Sequence, residues 1–388
     1  MNTVTSVKAR TLPDAVVASL FDPKNAEDYH YAAPAVQFGA SAVSNPLLDR
    51  AYAIEQKYGI TSSAFDDIRV AVLGIDLQKD FCFPPVIGAD GTVMGGGTLY
   101  VGGRDGKGAI TNNKTITTWG YKYLPIITQW NLTLDTHHSF QIFLASMLRD
   151  GNGKPLAPFT LVTADMVEKG DVTIDEGVLP YIAPGNRVQM RVWAKRQLIH
   201  YCKELDRLGK DPLIIWTRHC QLGTPGHALV GVISEVADIH AYARHSPLRL
   251  KVKGEHTWSE RYSAISEEVR TIWQKDAGGN NLPLPGANRD VDFMRLLTVN
   301  RMVVIFGQAG SHCDRATIDD IVDWVLANDK SLASKIYIAE DGMSPVVTPV
   351  MDFTERQEKA LDKFRNAGCH VVRLATPIHE WPDSPFTA

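Results

Sequence analysis

Residues 302–314 read MVVIFGQAGSHCD. The run from Met302 to Phe306 is apolar throughout and rich in β-branched residues, and Gly307 closes it. It is too short for a core helix and unbroken by polar residues, as a strand covered on both faces must be. A polar loop follows. Ser311 with Asp314 three residues later resembles a capping box, which predicts a helix over 314–327. Cys313 then falls in the first helical turn, where backbone N–H groups and the positive end of the dipole favour a thiolate. The same N–H groups can hold an oxyanion. Buried strand, tight loop and helix in succession are the unit of a parallel α/β fold, and the loop is where such folds place their chemistry.

The same rhythm extends in both directions. Apolar runs recur at Val70–Ile75, Leu124–Leu134, Leu213–Trp216, Lys335–Ala339 and His370–Leu374. Amphipathic stretches alternate with them at Gln189–Leu208, Ala228–Arg244, Asp290–Val299 and Phe353–Ala367. Alternation of this kind predicts a doubly wound, mostly parallel sheet with helices on both faces, in three layers. Residues 1–65, punctuated by Pro13, Pro23, Pro34 and Pro46, read as an N-terminal extension, an arm or an oligomer contact. Residues 66–388 form the α/β domain, with long insertions at about 84–108 and 145–188. The glycines of the first insertion lack the spacing of a phosphate-binding P-loop.

Composition sets the outer limits. Lysine plus arginine number 40 and aspartate plus glutamate 44, a net charge of −4 over 388 residues. A nucleic-acid partner held by bulk positive charge is excluded on that balance. No stretch reads as a membrane span or a secretory signal, so no membrane partner and a cytoplasmic location are expected. The cysteines Cys82, Cys202, Cys220, Cys313 and Cys369 are too few and too scattered for a disulfide scaffold.

Polar residues gather where the apolar runs end. Asp76, Gln78 and Asp80 follow the first run and would share a face if it stayed extended. Asp135 and His137, two apart after the second run, point one way, and His219 follows the third. A carboxylate and two imidazoles with an open position suit a divalent metal, zinc first, with manganese or iron as alternatives. Cys220 reads as a structural thiol, and His227, in a turn entering a helix, as a pocket residue. A nucleophilic Cys313 needs a base and a charge partner. Asp76 can take its proton, and Lys253, read as lying ahead of a loop, can steady the carboxylate.

In this order the segments resemble the nicotinamidase and isochorismatase-like cysteine hydrolase superfamily. The matching positions are Asp76-x-Gln78-x-Asp80-Phe81, Asp135-x-His137, and Trp216-x-x-His219-Cys220-x-x-Gly223-Thr224-x-Gly226. Lys253-Gly254 with Tyr262-Ser263-Ala264, and Gly307-x-Ala309-x-x-x-Cys313-x-x-Ala316-Thr317, complete them. The resemblance implies an isochorismatase-like three-layer sandwich and a Cys313, Asp76, Lys253 triad. It also implies a cis peptide between Gln308 and Ala309, an oxyanion site on the N–H groups of Ala309 and Cys313, and a metal on Asp135, His137 and His219. The activity implied is hydrolysis of a small amide or carbamoyl compound through a thioester on Cys313. Gln308, Phe81, Phe83, His227, Trp258 and Tyr262 are the candidate pocket walls, and a homo-oligomer is expected. Two departures stand out. Some relatives carry a further histidine where this chain has residues 139–145, which contain none, and Gly310 stands where Thr or Ser is common. The alternatives are a metal-independent isochorismatase-type hydrolase and a binding scaffold without catalysis.

Overall fold

The computed structural model describes residues 7–23 and 46–388, so the parts of the N-terminal extension at 1–6 and 24–45 lie outside the described residues. Contacts divide the chain into two compact units. One comprises residues 1–134, 228–251 and 291–388, the other 135–227 and 252–290.

In chain order the principal elements that lie wholly or mainly in the first unit are α1 (Pro46–Tyr58), β1 (Val70–Ile75), α2 (Lys79–Cys82), α3 (Gly108–Lys122), β2 (Gln129–Asp135), α4 (Gly231–Ala243) and β3 (Arg249–Lys253). They continue with α5 (Val291–Thr298), β4 (Met302–Gln308), α6 (Cys313–Asn328), β5 (Ile336–Ser344), α7 (Thr354–Asn366) and β6 (His370–Val372). The strands form one sheet in the order β3-β2-β1-β4-β5-β6. The pairings from β2 through β6 are parallel. Every residue of β1 and of β4 is buried. Since strand side chains alternate faces, both faces of the sheet centre are covered. α3, α5 and α6 all contact β4. The doubly wound expectation therefore holds, and the strand order reverses between β1 and β4, where α/β folds open a crevice at the carboxyl ends of their strands. Ile75 lies opposite Gly307. A Cβ on Gly307 would fall 2.1 Å from the Ile75 carbonyl oxygen, so only glycine permits this approach.

Three local expectations are corrected. Leu213–Trp216 does not join the main sheet: Leu213–Ile214 pairs antiparallel with Leu161–Val162. The strand next to β2 is instead β3, whose sequence RLKVK leaves most side chains exposed or half-buried. Charge along an edge strand hides the apolar signal while protecting the edge. Secondly, Asp76, Gln78 and Asp80 do not continue an extended strand, because Asp76 turns at φ +48° and Asp80 already lies in α2. Thirdly, no Ser311 capping box forms. α6 begins at Cys313, with His312 as an N-cap that makes no side-chain cap.

The described part of the N-terminal extension belongs to the first unit. Val7–Lys8 pairs with Phe386–Thr387, and α1 packs on α4 with an ion pair from Arg50 to Glu235. The second unit carries a long helix, Arg187–Arg207, whose start is a capping box between Asn186 and Gln189. Short antiparallel ribbons surround it, including Leu148–Asp150 with Val172–Ile174 and Thr271–Lys275 with Asn281–Pro283. Among the described residues no helix is long and apolar enough to cross a membrane.

Candidate active site

The first unit supplies the candidate nucleophile. Cys313 is the first residue of the sixteen-residue helix α6 and is buried. The turn before it is tight: the N–H groups of His312 and Asp314 both donate to the Ala309 carbonyl, at 2.9 and 3.2 Å. The Gln308–Ala309 peptide is cis. The Ser311 hydroxyl, freed from the expected cap, lies 2.9 Å from His312 Nδ1 and accepts from the Val346 N–H. Burial, aided by Arg315, pushes the His312 imidazole down to about 3. The histidine adjoining Cys313 is thus a poor proton acceptor at neutral pH.

Asp76, the candidate base, is fully buried at the end of β1. Its N–H donates to Thr133 Oγ1 on β2 at 3.0 Å, and the Thr133 hydroxyl donates back to Asp76 Oδ1. This two-way contact fixes a carboxylate whose backbone has left the strand in the left-handed region, a conformation that aspartate tolerates better than most residues. Cys82 links it to the start of α6. Burial pushes the Cys82 thiol up to about 12; Asn113 works in the opposite direction, while the charges of Asp76 and Asp314 add to the rise. The two aspartates therefore bear on one buried spot.

Sequence reasoning missed α3, whose threonines and Gly120 are weak helix formers. Its buried Asn112 accepts from Gln308 Nε2 at 3.0 Å and from the Ser344 hydroxyl at 2.6 Å, and donates to the Asp341 carbonyl at 2.9 Å. One side chain thus ties the ends of β4 and β5, and Gln308 is held by it. Gly310 is explained as well. A Cβ there would lie 2.1 Å from Gln357 Oε1, so the carboxamide from α7 fills the space of the absent side chain. Phe81 lies buried in α2, and Phe83 is buried under the Lys79 ammonium, 5.9 Å from the ring centroid.

The second unit supplies the candidate metal cluster. Asp135, His137 and His219 are all buried, and one ligand atom from each lies within 4.8 Å of the others. Asp135 Oδ2 is 2.8 Å from His137 Nε2 and 3.5 Å from His219 Nε2, and the two Nε2 atoms are 3.1 Å apart. His137 Nδ1 faces the Gly254 carbonyl at 3.1 Å, and His219 Nδ1 faces the Thr217 carbonyl at 2.7 Å. A carbonyl only accepts, so each Nδ1 faces it with a hydrogen, which leaves Nε2 as the atom each ring can offer to a cation. Two Nε2 atoms and a carboxylate oxygen converging in a buried site are a fitting donor set for a divalent cation, with backbone acceptors orienting the rings.

Lys253 lies beside this cluster, donating to Asp135 Oδ1 at 2.9 Å and to the Arg261 carbonyl at 2.9 Å. It ends a strand, ahead of a loop as the sequence suggested, and is buried where a lysine at such a place is usually solvated. Burial would raise the Asp135 pKa, but His137 and Lys253 outweigh it and hold the carboxyl well below its usual range. Burial holds His137 below its ordinary value in spite of Asp135.

The remaining candidates in this unit have partners of their own. His227 Nε2 meets Thr136 Oγ1 at 2.8 Å. Trp258 Nε1 donates to the Ile182 carbonyl, and the Tyr262 hydroxyl accepts from Trp216 Nε1. Cys220 is buried at φ +43°.

No family model matches the chain, and no curated protein matches it in sequence. Among solved structures it is similar to the yeast nicotinamidase bound to the inhibitor nicotinaldehyde, at 18% identity over 78% of this chain and 99% of that one, with a TM-score of 0.46. An Acinetobacter baumannii nicotinamidase/pyrazinamidase aligns at 16% identity over 80% of this chain and 98% of its own, with a TM-score of 0.44. The zinc complex of Pyrococcus horikoshii pyrazinamidase aligns at 16% identity over 78% and 98%, with a TM-score of 0.35.

Proposed function

We propose that this chain is a cysteine amidohydrolase of the nicotinamidase and isochorismatase-like superfamily, cleaving the C–N bond of a small amide or carbamoyl compound. The observation that carries the reading is Cys313 as first residue of α6, directly after the cis Gln308–Ala309 peptide, at the point of the sheet where β1 delivers Asp76. A thiol at a helix start, with a fixed buried carboxylate at the end of the neighbouring strand, is an arrangement suited to nucleophilic catalysis.

The reaction begins when Asp76 accepts the Cys313 thiol proton. The thiolate attacks the amide carbonyl carbon, and the carbonyl electrons move to oxygen. The resemblance assigns that oxyanion to the N–H groups of Ala309 and Cys313; removing one such donor typically costs ~3 kcal/mol of barrier. The tetrahedral adduct collapses, the C–N bond breaks, and protonated Asp76 gives its proton to the departing ammonia or amine. Asp76 then takes a proton from water, whose oxygen attacks the thioester; collapse releases the acid and the Cys313 thiolate, to which Asp76 returns the proton. The resemblance gives Lys253 the cationic place in the triad; the carboxylate it holds at 2.9 Å is that of Asp135.

Asp135, His137 and His219 would hold a divalent metal, with zinc favoured by the donor set. When bound, the metal supplies a Lewis-acid anchor for a substrate atom or a water. None of the five cysteines is in a disulfide, which fits a cytoplasmic enzyme.

The test is ammonia release from a panel of small primary amides, nicotinamide and carbamoyl compounds among them, by wild type and Cys313→Ala. Turnover by the wild type and none by a folded Cys313→Ala protein is expected. An active, folded Cys313→Ala enzyme would refute covalent catalysis.

A further inference from the structure

We propose that Gln141 is a positioning residue of the Asp135, His137, His219 site, orienting His137 for metal through a shared backbone acceptor. The inference rests on the reading of that cluster as a metal site.

Gln141 is completely buried. Its Oε1 accepts from the His138 N–H at 2.9 Å. Its Nε2 donates to the carbonyls of Gly254 and His256, at 2.6 and 3.1 Å. One acceptor position and both donor hydrogens of the carboxamide are therefore engaged, and every partner is backbone. The side chain fastens the segment carrying His137 to the segment 254–256. The Gly254 carbonyl that it grips is the one that His137 Nδ1 faces at 3.1 Å. Fixing that oxygen fixes the ring's tautomer and its rotation, and so the direction of the Nε2 lone pair.

Gly254 has little freedom to compensate. It sits at φ +85° with its Cα against the cluster, so that a Cβ would lie 2.7 Å from Asp135 Oδ1. His219 is oriented differently, by the Thr217 carbonyl two residues before it. Loss of Gln141 therefore acts on one ligand of the three. The residue comes from the 139–145 stretch that lacks a histidine: this chain places there a group that holds a ligand in line. Outer partners of this kind typically change metal affinity 10–100-fold when removed.

The experiment compares wild type with Gln141→Met, which keeps the side chain's length and removes its hydrogen bonds. Zinc affinity is measured by competition against a chromophoric chelator, and the cobalt-substituted proteins are compared by visible absorption, both well below the melting temperature of the metal-free variant. The expected result is about a 10–100-fold weaker zinc affinity and an altered cobalt spectrum in a variant whose far-UV circular dichroism matches wild type. A purely structural role would lower the melting temperature and leave affinity and spectrum unchanged, and that result overturns the proposal. Failure of the wild type to bind zinc overturns the metal-site reading itself, and the proposal with it. Should Gln141→Met not fold, the wild-type side-chain amide decides. Its two protons should exchange slowly and shift on zinc addition; exchange at the rate of an exposed glutamine, without a shift, overturns the proposal.

Discussion

Lys253 Nζ donates to Asp135 Oδ1 at 2.9 Å, and water reaches neither side chain to any extent. Breaking such a pair from one side leaves an uncompensated buried charge, at a typical cost of ~3–5 kcal/mol. Lys253→Met should lose about that much stability in chelator. Zinc should return part of it, because a cation on Asp135 Oδ2 replaces the missing ammonium. Urea unfolding with and without zinc checks this; an equal loss in both conditions contradicts a cation at Asp135.

The five thiols should separate sharply in an alkylation experiment. Burial pushes Cys82, Cys202 and Cys369 up to about 12, with nearby carboxylates adding at Cys82 and Cys202. At neutral pH these three carry almost no thiolate. Peptide mapping after brief iodoacetamide treatment of the folded protein should find the label on Cys313. Uniform slow labelling of all five would remove the case for an activated nucleophile.

Thr133 holds Asp76 through both its backbone and its carboxylate. Thr133→Val keeps the shape and removes both contacts. It should cost ~1–3 kcal/mol in stability, since a buried donor and acceptor lose their partner. If Asp76 moves the proton, kcat on the best amide should fall more than KM rises. A variant that lost only stability would reduce Thr133 to a packing residue.

Stability should also carry a pH signature from the second unit. Burial raises the Glu267 carboxyl to about 7, in spite of Arg261 and Lys253. Because the folded value exceeds the unfolded one, the folded state holds the extra proton. This contribution is complete below about pH 4.5 and is lost as pH rises through about 7, a span worth on the order of 3 kcal/mol. Glu267→Gln should flatten the decline in unfolding free energy across that window; an unchanged slope would assign the decline to other groups.

The central sheet was legible because β1 and β4 are buried on both faces and must be apolar along their whole length. The grouping of Asp135 with His137 was legible because the two stand at the end of a strand at the spacing that turns both side chains one way. β3 was not, since an edge strand needs charges that mask it, and the burial of Lys253 at its end was accordingly hidden. Nor was α3, where buried Asn112, Asn113 and Thr117 occupy positions at which a helix usually declares itself with aliphatic residues. Gln141 has no local signature at all: its partners at 254 and 256 lie more than a hundred residues away in sequence.

The carboxamide of Gln357 standing where a side chain at 310 would be makes these two positions a single unit of variation. Screening residue 310 alone would report mostly the effort of evicting an amide from a distant helix. Pairing Gly310→Ser with Gln357→Ala should expose strong non-additivity, so a library that varies one position has to vary the other with it.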